Sequence, residues 1–289
     1  MVAGSFRLQR DLQLASRASS LFRFAGGSLR TPGCIAFMLR AVATRGTFQP
    51  MNAGNRPFNY DSIAAEYATK VDNAPYNALY ERPAMLSMLP PVHGLRILDA
   101  GCGSGWYSER LLERGAIVHA IDASGAMVAY ARGRFEKLPG DVSQRIDVQS
   151  ADLRDRLPFD AESFDGVISP LVLHYLADWR PALREIHRVL HDDGWLLFST
   201  HHPAADAALF KPANYFATEL VHDHWDWAGD VSFYRRSFME IFRSLRDAGF
   251  VITNFVEPLP TEELRAERPD SYESLMALPQ FIIMEAKKA

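Results

Sequence analysis

Residues 97–105 read Ile-Leu-Asp-Ala-Gly-Cys-Gly-Ser-Gly, an apolar run that meets an acid and then places Gly101, Gly103 and Gly105 at alternate positions. Few conformations suit such a stretch. Leu95, Ile97 and Leu98 favour a short buried strand, and each glycine beyond Asp99 removes a Cβ. The chain can therefore turn tightly and bring its backbone close to a ligand. Asp99 stands just before the turn, where it can orient the loop or accept from a ligand amine. Two nucleotide-binding patterns are tested by register. The dinucleotide fingerprint Gly-x-Gly-x-x-Gly would put its third glycine on Trp106 or on Ser108, and neither fits. A phosphate-cradling P-loop fails as well, because no Gly-Lys-Ser/Thr follows.

The residues that follow alternate between helical and strand patterns. Trp106 to Arg114 places Leu111 and Leu112 among solvated charges and ends at Gly115, a helix and its stop. Ala116 to Ile121 is a compact apolar strand ending at Asp122, seventeen positions after Gly105. In a strand–helix–strand unit, that spacing returns a carboxylate beside the glycine loop, where it can accept from both hydroxyls of a ribose. Ser124 caps a helix expected to run to about Arg132, before Gly133, with Met127 one turn in. Strands are expected at Ile146–Asp152, Ser163–Ser169 and, after an Asp193-Gly194 turn, up to Ser199. An amphipathic helix covers Leu183–Leu190. A helix ending near Gly249, a strand at Val251–Phe255 and another at Gln280–Ala286 complete the series. Such alternation predicts an α/β chain with a mainly parallel sheet.

Taken together, these segments resemble the class I S-adenosylmethionine (SAM)-dependent methyltransferases from about Tyr60 to Ala286. The glycine stretch resembles their first motif, Ser163-Phe164-Asp165-Gly166-Val167 their fourth-strand motif, and Asp193-Gly194 replaces a frequent Gly-Gly. The resemblance implies a Rossmann-like sheet of seven mostly parallel strands with helices on both faces and an antiparallel last strand. An N-terminal helical segment and a lid-like insertion after strand five accompany it. It also implies SAM as cofactor, held by Asp99, Gly101, Cys102, Gly103, Gly105, Asp122, Ala123, Met127, Asp152, Leu153, Ser169 and Tyr67. Asp152 and the Leu153 amide would meet the adenine edge. Asn59 to Tyr67 resembles the family's entry helix. Tyr60 and Tyr67, seven apart, read equally well as site tyrosines or as core anchors on one helix face. Arg82 reads either as a contact for an anionic substrate or as a surface pair.

Charge narrows the acceptor. Residues 1–50 hold seven Arg, no Lys and one acid, Asp11, so residues 51–289 carry a net charge of −10. An acidic body is a poor partner for nucleic acid, and the expected acceptor is a small molecule. The two cysteines, Cys34 and Cys102, build no disulfide framework and suit a reducing compartment. No run reaches the roughly 18 apolar residues of a membrane span. The expected organisation is a basic extension at 1–50 and a methyltransferase domain at 51–289, in the cytoplasm. Residues 1–50 alternatively resemble a transit peptide, which would make the protein mitochondrial, or precede a true start at Met38 or Met51.

His201 to Tyr234 holds four of the nine histidines and two of the five tryptophans. Aromatic density between a strand and a helix suits a lid over an apolar pocket. His201 and His202 directly follow the fifth strand's carboxyl end, and His174 follows the fourth. These three are the candidate catalytic residues, with His201 or His202 as general base for a hydroxyl or amine. His201, His202, His222, Asp223, His224 and Asp226 are competent metal ligands, but no recognised ligand spacing occurs and no metal is expected. A SAM-binding regulatory subunit, an aminopropyl transferase and a nicotinamide dehydrogenase are the competing readings. The second lacks an acidic pocket after strand four, and the third fails on glycine spacing.

Overall fold

The computed structural model describes residues 70–225 and 229–289. The tyrosines Tyr60 and Tyr67, the 1–50 extension, Cys34 and Asp226 lie outside them. The described chain begins with a 3-10 turn at Val71–Asn73 and a π-helical turn at Asn77–Glu81, which runs into α1 (Arg82–Met88). Then come β1 (Arg96–Ala100), α2 (Trp106–Glu113), β2 (Ile117–Asp122), α3 (Gly125–Phe135), a one-turn helix at Gly140–Ser143, β3 (Ile146–Ser150) and β4 (Phe164–Pro170). A 3-10 turn at Leu173–Tyr175 leads to α4 (Arg180–Val189) and β5 (Leu190–His201). The insertion follows, with α5 (Pro203–Phe210), β6 (Glu219–Trp225) and β7 (Gly229–Arg235). The chain closes with α6 (Phe238–Asp247), β8 (Phe250–Val256), α7 (Glu262–Glu267), α8 (Pro269–Ala277) and β9 (Phe281–Lys288).

Seven strands form one sheet in the order β3-β2-β1-β4-β5-β9-β8. β1 to β5 pair in parallel, and β9 runs antiparallel between β5 and β8. Neighbouring side chains along each strand enter opposite cores. Leu98, Leu196, Phe198, Ile282 and Met284 pack on one face with α4 and α6. Ile97, Trp195, Leu197 and Ile283 pack on the other with α2, α3 and Met85 of α1. A sheet buried on both faces needs strands that are apolar throughout, which is why those runs do not alternate with polar residues. The expected helices on both faces are present.

Most boundaries shift by one to three residues, and two differences have a clear packing cause. α3 passes through Gly133 to Phe135, because the buried Phe135 ring packs against Gly105 and holds the last turn. β5 starts earlier, at Leu190. Phe164 pairs with Leu190 and Gly166 with Trp195, so His191 to Gly194 bulges out of the ladder as the expected turn.

Candidate active site

The carboxyl ends of β1, β2, β4 and β5 converge on one edge of the sheet. At β1 the amides of Gly101 and Cys102 both donate to the Ile121 carbonyl, at 2.8 and 2.9 Å, tying the loop to β2. Gly101, Gly103 and Gly105 all have positive φ, at 91°, 53° and 86°. A Cβ at Gly101 would also lie 2.3 Å from Val172 Cγ2. No other residue fits there, which is the physical content of the glycine spacing. The Cys102 side chain is buried in the core, and burial pushes its thiol well above the usual range. It fills space and is not a reactive thiol.

Asp122 ends β2 with its carboxylate across the loop: Oδ2 accepts from the Gly103 amide at 2.9 Å and Oδ1 from the Ser124 amide at 2.8 Å. A carboxylate is an acceptor with about four lone-pair positions, and these bonds fix the orientation of this one beside the loop. Ser124 caps α3 by accepting from the Met127 amide, as its position predicts. Met127 is buried, and Ala123 lies exposed between Asp122 and the cap. Asp152 sits two residues beyond Ser150, the β3 partner of Asp122, and so shares this edge. Its carboxylate is gripped by the Arg154 guanidinium, which holds it below the usual range, while the Leu153 side chain enters the core. Ser169 Oγ donates to the Ala100 carbonyl at 2.9 Å and is fully buried. That hydroxyl locks β4 to β1 rather than facing a ligand.

Two residues that no motif marked complete the edge. Glu81, from the π-helical turn, is buried and accepts from Tyr107 Oη at 2.7 Å and Ser199 Oγ at 2.6 Å. Ser199 Oγ in turn accepts from the amide of Leu171, a non-glycine residue at φ 54°. Strained backbone held by several bonds is typical of functional loops. Arg82 is no surface side chain. It is 4% exposed, lies 4.1 Å over the Trp106 ring and donates to the Asp72 carbonyl. No periodicity could have found Glu81, since Ser199 is 118 residues away. Asp99 lies between these groups, fully buried. Its Oδ2 accepts from Ser108 Oγ at 2.6 Å, while Oδ1 has no partner among the described residues. Burial pushes its carboxyl up to about 7.

The three candidate histidines separate by environment. His202 Nδ1 accepts from the Ala204 amide and caps α5, and Nε2 meets Glu257 Oε1 at 2.8 Å. Both nitrogens are engaged, which leaves none to take a substrate proton. His174 is buried with neither nitrogen partnered among the described residues, and burial, with His201 and Arg236 adding to it, holds it well below the usual range. It is a neutral ring stacked 4.3 Å from His201. His201 is partly exposed and walled by Phe233 at 4.1 Å, with Asp206 Oδ1 3.6 Å from its Nδ1, longer than a hydrogen bond. Phe233 belongs to the β6–β7 hairpin, so the aromatic insertion does reach the sheet edge. His222 and His224 stand on that hairpin, against Ser232 and Asp230. Among the described residues no helix is long and apolar enough to cross a membrane.

Residues 98–198 match the family described as "Methyltransferase domain". The fold superposes with a TM-score of 0.60 on a crystal structure of an S-adenosylmethionine-dependent methyltransferase from Mesorhizobium loti. That protein is 31% identical, and the match covers 75% of this chain and 100% of it. An uncharacterized protein of Haemophilus influenzae is 26% identical over 227 residues, 73% of this chain and 88% of its own. A malonyl-[acyl-carrier protein] O-methyltransferase of Erwinia pyrifoliae is 34% identical over 148 residues, and the chain spans 52% of that protein's length.

Proposed function

The chain belongs to the class I SAM-dependent methyltransferases, and from that premise we propose that it methylates a small-molecule acceptor held beneath the 203–235 insertion. Within residues 51–289, the residues proposed to hold SAM are those expected from the motifs apart from Ser169, whose hydroxyl is taken up by the Ala100 carbonyl. Asp122 takes the ribose hydroxyls, Gly101 and Gly103 offer their backbone, and Met127 and the Asp152–Leu153 turn border the base. SAM, when bound, supplies a methyl group on a positively charged sulfur for in-line displacement. Alignment and exclusion of water carry much of the rate in such a step, and the buried edge supports both.

On the acceptor side, His201 is the proposed general base, since of the three histidines it alone is partly exposed and without a hydrogen bond among the described residues. Asp206 Oδ1 lies 3.6 Å from its Nδ1, and His174 and Phe233 wall the ring. The relative's name carries an O-methyl acceptor, and a hydroxyl that must lose its proton is the case in which a base matters. The observation that carries the cofactor reading is the Asp122 carboxylate bridging Gly103 and Ser124 beside the glycine loop. Calorimetry with SAM and S-adenosylhomocysteine tests it. Asp122→Ala is expected to weaken both by on the order of ten- to a hundredfold. No binding by the folded wild type would end the reading, and unchanged affinity in the variant would remove the ribose assignment.

A further inference from the structure

β8 is the last strand of the sheet, and among the described residues only β9 pairs with it. Alternate N–H and C=O groups along such an edge point outward, ready to pair with another chain. Proteins ordinarily blunt an exposed edge with charge, proline or a very short strand. Residues 250–256 read Phe-Val-Ile-Thr-Asn-Phe-Val, with no charge and no proline. Val251 is 54% exposed and Phe255 is 55% exposed. α6 shares a core with Phe250 through Ile241 and Leu245, and it leaves Met239 and Phe242 exposed as well. An uncharged, apolar edge of this length is a site of association.

Two features say what covers it. The first is register. Ile252 pairs with Ala286 and Phe255 with Met284, which belong to the core on the α4–α6 face. Val251 pairs with Lys287, the partner of Trp195, and Val256 with Ile283, so both lie on the opposite face. The irregularity between Ile252 and Asn254 is what brings Phe255 onto the face of Ile252. A second β8 running antiparallel about a point between Thr253 and Asn254 sets Ile252 against Phe255 and Val251 against Val256. Each of those pairs shares a face, so the strand is complementary to itself. The second feature is charge. The connection leaving the carboxyl end of β8, residues 257–278, carries six acids and two bases. Its amino end is bordered by Arg243, Arg246 and Lys287, with Asp247 as the one acid within residues 243–251. Antiparallel apposition sets the acidic end of each copy against the basic end of the other.

We propose that β8 and α6 form the interface of a homodimer whose two seven-stranded sheets join edge to edge about a two-fold axis. The occupant of this edge is a second copy of the chain. The interface is independent of the cofactor reading, since β9 separates β8 from β5 and the site edge.

Sedimentation equilibrium of the full chain between about 1 and 100 µM tests the proposal. The wild type is expected at the mass of two chains. Phe255→Lys should self-associate at least about tenfold more weakly, with the circular dichroism of the folded sheet retained. A wild type at the mass of one chain throughout would overturn the proposal, leaving a segment of the chain itself to cover the edge. A dimer of unchanged strength in folded Phe255→Lys would place the interface elsewhere and overturn it equally. Should Phe255→Lys not fold, the exposed helix positions serve instead. Arg243→Glu with Arg246→Glu is expected to weaken the dimer by on the order of tenfold at low salt, and no weakening would overturn the proposal.

Discussion

Asp99 shows how burying one carboxyl sets stability against pH. Its carboxyl is held at about 7 in the fold, against about 3.9 in an unfolded chain. The fold therefore binds that proton more tightly, so its contribution is intact below about pH 4 and is lost as pH rises through 7. Asp99→Asn cannot ionise and can keep the Ser108 bond. Chemical denaturation is expected to find it more stable than wild type at pH 8 by on the order of 1–3 kcal/mol, allowing for an unpaired amide N–H. The gap should shrink towards pH 4, and cofactor affinity should fall. A difference that does not change with pH would contradict the account. His174 runs the other way: its ring is depressed by burial, so its contribution is present above about pH 6.5 and lost on acidification. Asp99 and the glycines were legible because their chemistry is local. Glu81 was not, because a lone acid acquires meaning only from the hydroxyls that tertiary packing brings to it.

At the scale of elements, caps and stops are legible in the sequence and lengths less so. Gly115 ends α2 at φ 84°, and Ser124 opens α3, as expected. Gly133 reads as a stop but sits inside a continuous helix, since Phe135 buries the turn beyond it. Nothing lies within 4 Å of a Cβ built at Gly133. Gly133→Ala is thus expected to raise stability by about 0.5–1 kcal/mol with unchanged cofactor affinity, measured by denaturant midpoint and calorimetry. A loss of stability would mean that this helix is strained there. The insertion was legible as aromatic but not as a hairpin. Buried Val231, Phe233 and Arg235 do alternate with Ser232 and Tyr234, a period of two that points to a strand. His202 likewise lost its catalytic reading to a local role, because a ring at a helix start can accept the second backbone N–H.

For the whole molecule, the sheet order decides which side chains become neighbours. β4 lies between β1 and β5, so Val172 closes on Gly101 while His174 meets His201. The separate fates of His201 and His202 then become measurable. His201→Gln is expected to lower kcat by ten- to a thousandfold, with SAM affinity and melting temperature nearly unchanged. His202→Ala should lower the melting temperature through the lost cap, which costs about 1 kcal/mol. Equal kcat in wild type and His201→Gln would remove it as base. The amino-acid sequence by itself determined the alternation of strands and helices, the glycine loop and the two acids beside it, because these depend on spacing within about twenty-five residues. Only the tertiary structure decided the Glu81 cluster, the separate environments of the three histidines and the wall that Phe233 makes. Each of these needs groups far apart in the chain to share one desolvated place, and that sharing is set by sheet order and packing rather than by any local pattern.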